Sequence, residues 1–160
     1  MTDLKKILKL GNPKLYEISE PVVRTELESL MPVISELHNI LMEFKAKYRA
    51  GRAISAPQVG VMKRLIYMNI SKPVVIINPQ LFDLSPERME LWDDCMCFPD
   101  LLVRVKRHKK CKLKFLNEKW KEEIWELEDD LSELLQHEYD HLNGILATQL
   151  AVDDKSFAWR

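Results

Sequence analysis

Apolar residues along the chain follow two rhythms. Between Ser29 and Tyr48, Leu30, Ile34, Leu37, Leu41 and Phe44 recur every three or four positions, the spacing of one helix face. This predicts a helix over 29–48, with Pro32 tolerated in its first turn and Gly51 as its stop. A second helix is predicted from Asp130. There Asp130 and Glu133 have the form of a capping box, Leu131, Leu134, Leu135 and Leu142 supply a buried face, and Gly144 ends the run. Elsewhere the pattern is that of strands: 64–70 and 73–79 read as short strands bounded by turn residues, and Leu101 to Phe115 as a further β-rich stretch. In that stretch Val103, Val105, Cys111, Leu113 and Phe115 keep mostly odd positions apolar, so the cations between Arg104 and Lys114 face water. Arg107 breaks this alternation. The acidic stretch from Glu122 to Asp130 reads as a solvated surface that offsets the basic run.

The remaining segments carry less pattern. Residues 7–23 hold Gly11-Asn12-Pro13 and Glu20-Pro21, which predict an irregular segment wrapped around the domain. Residues 151–160 read as a short polar tail. Neither an internal repeat nor a low-complexity segment is present.

Composition narrows the class. At 160 residues, 46% hydrophobic and 31% charged, the chain suits a single domain over 1–160 that buries roughly two-thirds of its unfolded surface. A net charge of -1 gives no general attraction to nucleic acid or to an anionic membrane, and the basic run is better read as the wet face of strands than as a nucleic-acid patch. Three cysteines, two of them separated by one residue, make a poor disulfide framework. Residues 1–7 have no long apolar run behind their charges. Neither a secretory signal nor a membrane span is expected, and the expected location is cytoplasmic.

The chemistry is concentrated near residue 137. In Gln136-His137-Glu138-Tyr139-Asp140-His141 two imidazoles stand four residues apart on one helix face, with a carboxylate directly after the first. Two imidazoles with an adjacent acid suit one metal ion and a general base for hydrolysis. A tetrahedral catalytic site needs a third protein ligand, and a cysteine of Cys95-Met96-Cys97 is the natural candidate. Spacing alone does not choose between the two. His38 has no second donor in its segment and reads as an ordinary helix residue.

Gly51-Arg52-Ala53-Ile54-Ser55-Ala56-Pro57-Gln58, then Asp93-Asp94-Cys95-Met96-Cys97, then His137-Glu138-x-Asp140-His141 together resemble, in order and spacing, the three motifs of the peptide deformylase family. The resemblance implies an α+β fold in which antiparallel strands surround a central metal-binding helix. It implies that Cys95, His137 and His141 hold one divalent ion, with Fe(II) foremost and Zn(II) or Ni(II) as alternatives. Glu138 would be the acid/base, Gln58 and the Met96 amide the oxyanion site, and Asp93–Arg107 a structural ion pair. Arg52, Ala53, Ile54, Leu91, Asp94 and Leu134 would line the substrate groove. The implied reaction removes a formyl group from the N-terminal methionine of a peptide or nascent chain, or from a related N-acyl amide, with at most a transient ribosome contact. Cys97 falls where the family has Ser, which makes it the packing cysteine.

The sequence departs from the family pattern at further positions, and three of them, Arg52, Ala53 and Asp94, stand where the family's residues line the groove. Arg52 stands for an apolar residue, Ala53 for Gly, Ser55 for Ala, Asp93 for Glu and Asp94 for Gly. The groove is therefore expected to be narrower and more polar, with charges that await a complementary substrate group. A rival reading is a catalytically weak paralogue that binds peptides or ribosomes, which would need neither Glu138 nor Gln58. A general zinc endopeptidase fits less well, because the Gln58 motif has no role there.

Overall fold

The helical rhythm around Leu37 is realised as α1, Leu27–Tyr48, in a computed structural model that describes residues 3–160. Met1 and Thr2, at the head of the charged N-terminal segment, lie outside the described residues. Leu30, Ile34, Leu37, Ile40, Leu41 and Phe44 are all buried along its inner face. The helix begins two residues earlier than predicted, so Pro32 lies inside it on the solvent side and not in the first turn. The stop also differs. Arg49 takes the left-handed conformation, φ 54°, and closes the helix by donating its N–H to the Lys45 carbonyl. Gly51, at φ 111°, serves the next turn, where a Cβ would come within 3.1 Å of the Phe44 ring.

Two antiparallel sheets follow. Strands β1 (Ala53–Ser55), β2 (Leu65–Asn69), β3 (Pro73–Phe82), β6 (Lys110–Leu116) and β7 (Glu122–Glu128) form one sheet in the order β1-β2-β3-β6-β7. Strands β4 (Arg88–Cys95), β5 (Phe98–His108) and β8 (Phe157–Trp159) form the other, in the order β4-β5-β8. The stretch read as one β-rich region is thus two strands in different sheets, separated at Lys109. The alternation of apolar residues holds on both sides of the break, and for that reason the break was silent.

Two surface readings become strands. The acidic stretch is β7, which sets Glu128 opposite Lys110 and Glu126 opposite Lys112 across the ladder. Such exposed pairs contribute little stability each, and the register is held by Leu127 and Trp125 on the inner face. The polar tail contains β8, with Leu101 opposite Trp159 and Val103 opposite Phe157.

The N-terminal segment does wrap the domain. It carries short 3-10 turns at Asp3–Lys6 and Pro13–Tyr16 and buries Ile7, Leu15 and Val22. Its backbone reaches the motif loops directly: Leu8 donates to the Gln58 carbonyl and Leu10 to the Cys97 carbonyl. The second helix, α2 (Asp130–Leu142), packs on β1, β5 and β7. Its N-cap is Asp129, at φ 52°, with no side-chain cap, and the predicted capping box does not form because Glu133 turns toward Arg52. Gly144 ends the turn after the helix at φ 70°.

Candidate metal centre and active site

Helix α2 presents His137, Glu138 and His141 on its buried face, all at most 5% exposed. Opposite it, a register shift between Asp93 and Cys95 at the end of β4 turns the Cys95 thiol toward the helix. The donor atoms converge. His141 Nε2 lies 3.2 Å from His137 Nε2 and 3.3 Å from Cys95 Sγ, and the three residues form the cluster able to hold a metal ion among the described residues. Legs of about 2.1 Å to nitrogen and 2.3 Å to sulfur give a tetrahedron edges near 3.5 Å, so this donor set fits a small divalent ion. Cys97 is not in the cluster.

The donors are held from behind. Asp93 Oδ2 accepts from His137 Nδ1 at 2.9 Å, which leaves His137 Nε2 facing the other donors. The same oxygen accepts from Arg107 Nη2 at 2.9 Å, and Arg107 Nη1 donates to Asp140 Oδ2 at 2.5 Å. Burial disfavours the Asp93 charge, but His137 and Arg107 outweigh it and hold the carboxyl far below the usual range. Arg107 is 3% exposed, which accounts for its breaking the alternation of β5.

Glu138 and Gln58 complete the cavity. Burial, ahead of all other influences, pushes the Glu138 carboxyl up to about 7, and its Oε1 is buried without a hydrogen-bond partner. Gln58 sits in the 3-10 turn Ala56–Val59 that follows β1. Its Oε1 accepts from the Ser55 N–H at 2.8 Å and from the Ser55 hydroxyl at 3.0 Å, so its amide nitrogen points to the thiols, 3.6 Å from both Cys95 and Cys97. Met96 is buried and lines the same cavity.

The cavity is small, about 50 Å³, and Arg52, Ala53, Asp94 and Leu134 line it with Glu133. Two groove candidates do not. Ile54 is fully buried in the core because strand alternation turns it away from the cavity, and Leu91 packs on that same core. The expectation that Arg52 and Asp94 await partners is also corrected. Arg52 Nη2 donates to Glu133 Oε1 at 2.6 Å, and Asp94 is paired with Arg160.

Three residues read from the sequence only as motif or cap positions, Ser55, Glu133 and Asp140, support the site, and Arg160 carried no role in that reading. Ser55 was legible, since Ser-x-x-Gln is a capping-box spacing. Glu133 and His137 stand four apart and share a helix face. Arg160 had no local signal.

Comparison with known proteins agrees with this geometry. The profile of the family described as "Polypeptide deformylase" matches residues 4–156. The peptide deformylase of Thermotoga maritima is 32% identical over 142 residues, covering 88% of this chain and 83% of the relative. That of Pseudothermotoga lettingae is 34% identical over 158 residues, covering 98% and 88%. Among solved structures, peptide deformylase from Thermotoga maritima superposes with a TM-score of 0.84 at 30% identity, covering 92% of this chain and 97% of that one. A Synechococcus elongatus peptide deformylase in complex with actinonin gives 0.84 at 25% identity, covering 92% and 79%. Cys/His/His donors between a strand end and a helix, inside a fold shared along nearly its whole length, leave one conclusion: the chain belongs to the peptide deformylase family of metal-dependent hydrolases.

Proposed function

We propose that the protein is a working deformylase, removing the N-formyl group from N-terminal methionine of peptides or nascent chains, with Cys95, His137 and His141 as ligands to one divalent ion. The observation that carries this reading is Glu138, a buried carboxylate whose Oε1 has no partner inside the protein, set in the cavity beside the three donors. A binder without turnover would have no use for it. When bound, the ion supplies Lewis acidity that makes water a nucleophile near neutral pH. Fe(II) is the family's usual metal, and Zn(II) or Ni(II) suit the same donors.

The chain's own groups divide the remaining work. Glu138 takes the proton from the attacking water and returns it to the leaving amine. The Gln58 amide nitrogen and the Met96 backbone amide donate to the formyl oxygen as negative charge develops there. Ser55 fixes the Gln58 amide so that nitrogen, not oxygen, faces that charge. A cavity of about 50 Å³ favours formyl over larger acyl groups. The short strand β1 lies at the edge of its sheet, the place where an extended peptide adds as a further strand.

Anaerobic preparation with Fe(II), Zn(II) or Ni(II), followed by formate release from formyl-Met peptides and their acetyl counterparts, tests the reading. Formate from the formyl series alone is the expected result. A fully metal-loaded protein that releases none would leave the binder reading in its place.

A further inference from the structure

A depression of about 560 Å³ adjoins the active-site cavity and shares Gly51, Arg52 and Asp94 with it. Its charged lining is Lys45, Arg49, Arg52 and Asp94. Three cations thus face one carboxylate, and that carboxylate is already engaged by Arg160. Arg52 is neutralised by Glu133. Lys45 and Arg49 are not neutralised: Lys45 donates to the Asn69 carbonyl, and neither forms an ion pair among the described residues. Cations near a helix C-terminus are favourable on their own account. The location is the informative part, because the residues common to both hollows give a peptide whose formyl end lies in the cavity a direct way into the depression.

We propose that Lys45 and Arg49 form an anion subsite that holds a carboxylate of the substrate, so that acidic formyl peptides are preferred. The inference rests on the deformylase reading and adds a substrate class to it. Arg49 suits a carboxylate through the paired donors of its guanidinium, and Lys45, held by the Asn69 carbonyl, adds a point charge beside it. The carboxylate has two possible sources in a peptide, an acidic side chain after the first residue or the C-terminus of a short peptide. Both present the same group to the subsite.

The test uses metal-loaded protein and two matched pairs: formyl-Met-Glu-Ala-amide against formyl-Met-Gln-Ala-amide, and formyl-Met-Ala-Ala as acid against amide. At low ionic strength KM should be about tenfold lower for the charged member of at least one pair, with the difference fading in high salt. Whichever pair shows the difference identifies the source. The variant Lys45→Gln/Arg49→Gln should erase the ratio while metal content is retained. Equal KM values in both pairs, or a preference that survives the double variant, overturns the subsite. If no peptide releases formate, the deformylase reading fails instead. The subsite is then judged by calorimetric binding of Met-Glu-Ala-amide against Met-Gln-Ala-amide and of Met-Ala-Ala acid against amide, where equal affinities within both pairs overturn it.

Discussion

Arg52 and Glu133, 81 positions apart in the chain, meet at the wall of the active-site cavity with Nη2 donating to Oε1 at 2.6 Å. Each explains the other's presence in the groove. Glu133 is mostly buried, and burial pushes its carboxyl up even beside Arg52, which offsets part of that shift. Arg52→Ile alone should destabilise by about 1–2 kcal/mol by leaving that acid unpaired, whereas Arg52→Ile/Glu133→Leu should recover most of the loss. A methionine side chain offers no hydrogen bonds to a desolvated ion pair. The double variant should therefore raise kcat/KM on formyl-Met-Ala peptides above wild type. Denaturation midpoints and steady-state rates check both halves, and an unimproved double variant would show that this polar wall does not set specificity.

Removal of any one donor should empty the metal site. Cys95→Ala, His137→Ala and His141→Ala are expected to lose stoichiometric metal, while Cys97→Ser keeps it. Metal per chain by plasma emission, beside circular dichroism to verify folding, gives the answer. Loss of metal in Cys97→Ser with retention in Cys95→Ala would exchange the roles of the two cysteines.

Glu138→Gln should retain the metal and lower kcat by about 10²–10⁴-fold, because a side-chain amide cannot take the water's proton. Gln58→Ala should cost about a hundredfold as a lost oxyanion donor. Ser55→Ala should fall between Gln58→Ala and wild type, since the Ser55 backbone N–H still holds the Gln58 oxygen. Wild-type rates in any of the three would remove that residue from the mechanism.

Arg107 joins Asp93 of β4 to Asp140 of α2 inside the core. Arg107→Leu should destabilise by about 3–5 kcal/mol, because it removes the guanidinium from the buried Asp93 and the half-buried Asp140 together. Asp93→Asn should cost less stability but weaken metal affinity by about 10–100-fold through the lost partner of His137. Chemical denaturation and competitive chelator titration separate the two effects. Equal stability of Arg107→Leu and wild type would contradict the bridge.

Much of the site was legible because its parts are local. His137, Glu138 and His141 sit on one helix whose period is written in the leucines around them, and Gln58 lies within one turn of its Ser55 cap. Strand boundaries were harder. β4 runs Arg-Met-Glu-Leu-Trp-Asp-Asp-Cys, with weak alternation and an exposed Trp92, and β7 is dominated by acids whose partners lie on another strand. The long-range pairs, Arg52 with Glu133 and Asp94 with Arg160, leave no local pattern at all. Sequence showed the charges in the groove, and only the fold showed that they were already answered.

The approach of Gly144 to Tyr16 has a consequence for how the molecule comes into being. A Cβ at residue 144 would stand 2.4 Å from the Tyr16 carbonyl oxygen, and nearby Ser19 donates its N–H to the Leu142 carbonyl. The last turn of the ligand-bearing helix is thus seated on a segment synthesised more than a hundred residues before it. During synthesis that early segment emerges with no docking partner, and the seat closes only when residue 144 has left the ribosome. Non-local closure of this kind is slow compared with helix formation, so the donor cluster reaches its final form only after residues 16–19 and 142–144 have met, later than α2 itself.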